Sequence, residues 1–392
     1  MSSSKFDIVV YGATGFTGRL VAEYLAAQYR NDASLKWAMA GRSKEKLASV
    51  RDAIGAPADT PLIVADASDP ASLKAMVAQT KAVITTVGPY QFYGNDVLAA
   101  CVEAGVDYFD LCGEPLWMRQ MIDKHEAEAK ASGARILFSC GFDSVPFELG
   151  AFFVQEEAKR VFGAPAARVK GRVRDMRGTF SGGTAASGRA TFEAVSKDLS
   201  LVAILNDPFA LTPDFKGVKQ PKGNKPAYEQ EMQSWIAPFT MALINTRNVH
   251  RSNMLMGFPY GKEFVYDEMV LTGPGEQGEA NARKVMAANS EKTGPNARKP
   301  GEGPSKEEQE NGLYDLLYVA VAPDGREVRI SVKGDRDPGY GSTSKIISEC
   351  AVCLLRDTPD VAPGFWTPGA AMQHKLIKRL VDNAGLTFRV EK

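Results

Sequence analysis

The chain has 392 residues, 44% of them hydrophobic and 24% charged, and its 47 basic residues balance its 47 acidic ones. That length suits two or three domains, and the zero net charge gives no support to a general polyanion or nucleic-acid binder, which needs a basic surplus or stripe. No apolar run is long enough for a transmembrane segment, "MSSSKFD" lacks the core of a secretory signal, and five irregular cysteines make no disulfide framework, so a reducing, cytoplasmic setting is expected.

Strand-like apolar runs at 6–11, 36–40, 61–65, 82–87, 107–110 and 134–139 alternate with helical patterns near 17–29, 43–54, 70–79, 94–105, 115–132 and 145–160. In the first helix Leu20, Val21, Tyr24 and Leu25 make one apolar stripe. Such alternation predicts parallel strands joined by right-handed crossovers. Residues 1–150 are therefore expected to form an α/β, Rossmann-type doubly wound parallel sheet that binds NAD(P).

The first strand runs into "GATGFTG", with Gly12, Gly15 and Gly18 at its junction with the first helix. One glycine permits a tight turn, a second lets an anion touch main-chain N–H groups with no Cβ in the way, and a third lets helix and strand pack closely. The helix N-terminus adds unpaired donors and a positive dipole end, which suits a pyrophosphate. Gly12, Ala13, Thr14, Gly15, Phe16, Thr17 and Gly18 are therefore the expected dinucleotide loop. The spacing is GxxGxxG rather than GxGxxG, so the flanking strand and helix carry much of the weight. At the end of the second strand, where an NAD site places an acid for the ribose 2′-OH, this chain has Arg42, with Ser43 and Lys46 nearby. A guanidinium pairs with a 2′-phosphate by charge and shape, so NADP(H) is expected over NAD(H).

Asp66 ends the third strand, placed either to accept from an adenine amino group or to cap the next helix. Val87, Gly88 and Pro89 end the fourth strand and face the first loop across the topological switch point. After the sixth strand comes "SCGFDSVPFELG", where Ser144 caps a helix that Pro146 begins, and where Phe142 and Asp143 are expected to meet cofactor or substrate.

Beyond residue 150 the texture changes, and 151–340 reads as an α+β substrate domain with an antiparallel or mixed sheet. "ARVKGRVRDM" (167–176) alternates as a strand with one wet face. In "GTFSGGTAASG", Ser181, Gly182, Gly183 and Thr184 form either an anion nest or the flexible lead-in to a helix from Thr184 to Leu205. A proline- and lysine-rich loop fills 206–227. Residues 232–260 are rich in aromatics and methionine, an apolar substrate wall or an ordinary core. The stretch 273–312 is expected to be a mobile, solvated insertion, with a helix only in "EANARKVMAANSE". Residues 316–334 read as a hairpin turning at Pro-Asp-Gly. The segment 341–392 holds two helices, one over 343–356 and one from Thr367-Pro368 to just before Gly385, expected to pack back on the first domain.

Three histidines, at 125, 250 and 374, are too scattered for a metal cluster, and no metal is expected. Cys350 and Cys353 share an apolar helix face with Ile346 and Leu354, so they read as core. No YxxxK pair occurs, which removes the tyrosine–lysine acid of a short-chain dehydrogenase.

With "GATGFTGRLVAEYL", "AGRS", "VGPYQFYG", "DYFDLCGE", "CGFDSVPFELG", "FSGGTAAS", "WIAPFTMALINTRNVHRSN" and "GDRDPGYGSTSK", the chain resembles the saccharopine dehydrogenase-like oxidoreductases over nearly its whole length, and within them the trans-acting enoyl reductases. The resemblance implies NADPH-dependent reduction of the C=C bond of an enoyl thioester in lipid metabolism, the acyl chain borne by a carrier protein or synthase. A homodimer and a peripheral, lipid-associated location are further expectations. The reaction needs donors for the thioester oxygen and a proton source. Tyr90 or Tyr93 is the candidate hydroxyl, and Ser181 with Thr184 the candidate oxygen cradle. Arg247, Asn248 and Arg251 suit a carrier's phosphopantetheine phosphate or plain solvation. Two other readings stay open. One is a saccharopine-type dehydrogenase acting at a C–N bond, with Arg189, Arg247 and Arg251 clamping carboxylates. The other is a non-catalytic, lipid-associated dinucleotide-binding protein.

Overall fold

The computed structural model describes residues 4–178, 182–291 and 301–391, with the backbone alone for 182–185 and 290–291. In chain order the first part contains β1 (Phe6–Tyr11), α1 (Phe16–Gln28), β2 (Trp37–Gly41), α2 (Lys44–Ala53), β3 (Leu62–Val64), α3 (Pro70–Val77) and β4 (Thr80–Thr85). It continues with α4 (Tyr90–Tyr93), α5 (Asn95–Ala104), β5 (Asp107–Phe109), α6 (Pro115–Ser132), β6 (Arg135–Leu137) and α7 (Val145–Phe162). Then follow β7 (Arg168–Arg177), α8 (Gly182–Lys197), α9 (Leu201–Asn206), β8 (Ala227–Glu229), β9 (Ser234–Pro238), α10 (Ala242–Leu255), β10 (Val265–Gly273) and α11 (Gly275–Glu291). The last are α12 (Lys306–Glu310), β11 (Leu313–Val321), β12 (Glu327–Gly334), α13 (Thr343–Arg356), β13 (Gly364–Trp366), α14 (Pro368–Asn383) and β14 (Leu386–Glu391).

These elements build two α/β units. The first sheet runs β13-β6-β5-β4-β1-β2-β3, and each of its pairings is parallel. Ile8, Val9 and Val10 beside Ala82, Val83 and Ile84 are fully buried, the unbroken apolar run that a sheet covered on both faces requires. Strand order reverses between β1 and β4, so the chain diverges at their carboxyl ends and opens a crevice there. The second sheet runs β14-β12-β11-β7-β10-β9-β8; it is mixed, with β7 and β10 parallel and its other pairs antiparallel.

The structure revises several local expectations. The helix expected from Thr184 to Leu205 breaks at Asp198, whose carboxylate accepts from the Ser200 N–H and hydroxyl at 2.9 and 2.6 Å and stops α8. Within 273–312, α11 is not a free insertion: it packs on β9 and β10 with Ala282 fully buried. α12 is held by a capping box between Ser305 and Glu308. Residues 292–300 of that stretch lie outside the described residues.

After α13 the chain adds β13 to the first sheet, and after α14 it adds β14 to the second. The expected Thr367 cap is present, its side chain accepting from Ala370 N–H with Pro368 at the helix start. α13 also packs against α1: the Tyr24 and Tyr29 hydroxyls reach one oxygen of the fully buried Glu349 at 2.7 and 2.6 Å. Arg379 and Asn383 of α14 hold the other oxygen, each at 3.1 Å. Between the two units lies α10, a helix whose Asn245, Arg247, Asn248, His250, Arg251, Ser252 and Asn253 are all buried. Among the described residues no helix is long and apolar enough to cross a membrane.

Candidate active site

The three glycines of the first loop divide their work as spacing suggests. Gly12 has φ +89°, and a Cβ there would stand 2.7 Å from Val87 Cγ2. A Cβ at Gly18 would overlap the Gly12 carbonyl, so only glycine lets α1 start this close to β1. Gly12 and Ala13 N–H donate to Ala40 O, which fixes the turn, and Ala13 itself is core. Gly15 is the bare N-cap of α1, and Arg19 N–H is the amide bonded to its carbonyl at 3.0 Å. The Phe16, Thr17 and Gly18 amides thus form the first helical turn, which has no intrahelical acceptors, beside exposed Thr14 and Gly15. Those donors, with no Cβ over them, fit a diphosphate. The Phe16 ring meets Tyr340 edge-on at 5.2 Å, and a Cβ on Gly303 would overlap it. The chain around 303 therefore lies over this loop.

At the end of β2, Arg42 is exposed and, among the described residues, has no hydrogen bond or ion pair. Ser43 is occupied as the α2 cap: its hydroxyl accepts from Lys46 N–H at 3.2 Å and donates to Glu45 at 2.8 Å. The Lys46 side chain is exposed. Asp66 does not cap α3; Asp69 does, accepting from Ala71 and Ser72 N–H. Asp66 instead accepts from Ser68 N–H and hydroxyl, both at 2.9 Å, which holds its carboxyl below the usual range, helped by the charge of Arg42.

The opposite end of the crevice departs further from expectation. Tyr90 is buried: its hydroxyl donates to Thr85 O at 3.2 Å and accepts from Leu111 N–H at 3.0 Å. Burial pushes that phenol well up, so Tyr90 is a structural pin rather than a hydroxyl offered to substrate. Tyr93, by contrast, is 47% exposed next to Phe92. The Phe142 ring is core as well, packed between Phe147 and Tyr314 at 5.4 and 4.6 Å, so its side chain is not placed to meet a ligand. Its N–H donates to Thr343 Oγ1 at 2.9 Å. Asp143 is half-buried in the same loop. Ser144 does not cap α7 with its side chain. At φ 152° its hydroxyl turns to α10 instead, accepting from Asn248 Nδ2 at 2.7 Å and donating to Asn245 Oδ1 at 3.3 Å. Asn245 in turn donates to Glu268 at 2.9 Å, and burial pushes the Glu268 carboxyl up to about 8.

Arg247 and Arg251 are neither solvated nor open to a phosphate. Arg247 is spent on the Leu243 and Leu205 carbonyls, and Arg251 on those of Leu211 and Phe365 at 2.6 and 2.8 Å. Arg189 remains exposed on α8. Ser181 lies outside the described residues, as does the Thr184 side chain, whose backbone belongs to the first turn of α8.

Two acids that the sequence reading passed over hold this end together. The buried Glu114 accepts from Tyr90 and Gln91 N–H at 2.9 and 3.0 Å and from Ser187 of α8 at 2.7 Å. One carboxylate thus ties the loop after β4 to a helix of the second unit. Asp110 joins the loops after β5 and β6 by accepting from Cys112 and Ser139 N–H, and burial pushes it up to about 7. The sequence signal was an acid at each end of "DLCGE", just past a strand end.

A parallel sheet that reverses its order beside a glycine loop, with an arginine where an NAD site has an acid, defines an NADP-binding oxidoreductase. Residues 8–137 match the saccharopine dehydrogenase NADP binding domain. Over 404 residues the chain is 34% identical to a trans-acting enoyl reductase of Mycobacterium tuberculosis, covering 96% of each chain. Over 410 residues it is 34% identical to the one from Mycobacterium ulcerans, covering 97% of each. Another M. tuberculosis protein, assigned by its name as a trans-acting enoyl reductase, is 38% identical over 415 residues, covering 99% of this chain and 98% of that one. Apo saccharopine dehydrogenase (L-Glu forming) from Saccharomyces cerevisiae shares the fold, with TM-score 0.56 at 12% identity over 99% of this chain and all of that one. The chain belongs to the saccharopine dehydrogenase-like family, in the branch of the trans-acting enoyl reductases.

Proposed function

We propose that the protein reduces the C=C bond of an enoyl thioester with NADPH, the acyl group being borne by a carrier protein or synthase in lipid metabolism. The observation that carries this reading is the full-length relationship: the similarity to enoyl reductases spans the substrate half as well as the nucleotide half. Residues 1–150, with 341–392 closing their sheet, are taken as the cofactor unit and 151–340 as the substrate unit.

Bound NADPH supplies the hydride. The Phe16, Thr17 and Gly18 amides hold the diphosphate, while Arg42, with Lys46 contributing charge, selects the 2′-phosphate. Val87, Gly88 and Pro89 form the wall beside the reacting end, and Glu114 fixes that wall against α8. Negative charge develops on the thioester oxygen, and the first turn of α8, with Ser181 and Thr184, is assigned to meet it. Tyr93 is assigned as the hydroxyl that protonates Cα, since Tyr90 is occupied. The arginine clamp of a C–N dehydrogenase loses support because Arg247 and Arg251 are spent on main-chain carbonyls.

NADPH oxidation followed by absorbance tests the reading. Turnover is expected with a crotonyl thioester and not with a keto acid plus an amino acid. Turnover with the second pair alone would overturn it, and saturable NADPH binding without turnover on either would favour a non-catalytic module.

A further inference from the structure

Between α9 and β8 the chain runs as a strap along β10. Gln220 acts as a stand-in for a neighbouring strand: its amide donates to Phe264 O at 3.1 Å and accepts from Tyr266 N–H at 3.0 Å, where β9 pairs only with Met269–Gly273. Gly217 packs against the tip of the Phe209 ring, where a Cβ would stand 2.6 Å from Cζ, and a Cβ on Gly223 would stand 3.3 Å from Met269 Sδ. Gly217, Gln220, Gly223 and Pro226 are half-buried, three residues apart. One position before each comes a lysine, and Lys216, Lys219, Lys222 and Lys225 are all exposed. Among the described residues none of the four has a hydrogen bond or ion pair, unlike Lys74, Lys130, Lys333 and Lys378. Asp214 is the one carboxylate in the sequence from 208 to 228.

The row also has a direction. Gly217 sits level with Lys262, in the turn before β10, and Gly223 level with Glu268 within it, so the strap advances along this stretch by six residues, at most roughly 20 Å. Glu268 leads through Asn245 to Ser144, in the loop after β6. The Lys222 and Lys225 end of the row is therefore the one level with this network. Such a row is several times longer than one phosphate or carboxylate, and Val218 is the one large apolar side chain exposed on the strap. Its length and linearity fit an elongated acidic protein element better than a small anion or a bilayer.

We propose that Lys216, Lys219, Lys222 and Lys225 form a docking rail for an acidic face of the protein that carries the thioester. This rests on the enoyl-thioester reading. Fixed like charges along a preset line speed encounter with an acidic partner and lose effect as salt rises.

The test compares wild type with Lys219→Glu/Lys222→Glu. The probes are a crotonyl-loaded acidic acyl carrier protein, the crotonyl thioester of N-acetylcysteamine, the carrier protein without its acyl group, and phosphatidylglycerol vesicles. KM for the carrier-borne substrate should rise at least ~10-fold with kcat unchanged, while the small thioester is reduced as before. Binding of the unacylated carrier, read by fluorescence anisotropy, should weaken by a similar factor and lose its salt dependence. That arm needs no turnover, so it judges the rail even if wild type reduces neither thioester and the reaction assignment fails. Unchanged carrier binding, equal impairment with both thioesters, or loss of vesicle binding alone would each overturn the proposal.

Discussion

Gly18 sits where any side chain would collide with the Gly12 main chain as well as with the Thr86 hydroxyl, and the main chain cannot yield. Gly18→Ala should cost about 1–3 kcal/mol or more, lower Tm and abolish NADPH titration. Arg42 offers a cleaner separation. Arg42→Ala should weaken NADPH about 10-fold, or ~1.4 kcal/mol, and leave NADH nearly unchanged; equal loss for both would remove the 2′-phosphate assignment. Burial pushes the Glu148 and Glu268 carboxyls up to about 8, against about 4.3 in an unfolded chain. Between those values the folded protein keeps protons that the unfolded chain has lost. Stability should therefore fall as pH rises from about 5 to about 8, by up to ~1.4 kcal/mol per pH unit per group, and level off above. Glu268→Gln should make Tm against pH shallower; an unchanged slope would count against the assignment. The tight backbone at Gly12 and Gly18 and the exposed place of Arg42 at the end of β2 were legible because spacing and position in a βα unit dictate them. Tyr90 and Phe142 were misread because a residue next to a strand end can turn inward as easily as outward, and local sequence does not say which.

At the scale of elements, Glu114 joins α4 to α8, and Ser187 supplies the α8 side of the bond. Ser187→Ala removes a hydrogen bond worth about 1 kcal/mol. It should lower kcat several-fold while the NADPH Kd, read by fluorescence, stays constant; a matching loss of NADPH affinity would show that α8 supports cofactor binding instead. Of the elements themselves, the alternating βα run was read almost to its ends, since hydrophobic period and caps agree there. β13 and β8 were missed because, unlike the equally short β3, β5 and β6, they lie outside the N-terminal βα alternation that marks those strands. α10 was not recognised as a helix because its buried face is polar: Asn245, Asn248 and Ser252 each hydrogen-bond a partner distant in sequence.

Over the whole molecule the two sheets share their closing segment. The last fifty residues lay an edge strand on each sheet and clasp α1 through Glu349, which gathers Tyr24, Tyr29, Arg379 and Asn383. More than two hundred residues separate β6 from β13. On a ribosome adding about 5–20 residues per second, the nucleotide-binding sheet would wait at least ~10 s with the β6 border bare. An expressed fragment ending near residue 170 should accordingly precipitate or recruit chaperones, whereas the full chain stays monodisperse. A soluble, NADPH-binding fragment would show that the border tolerates exposure. The cofactor half is thus unlike a cassette that gene fusion can lift out and reuse, because its final stitch is encoded at the far end of the message.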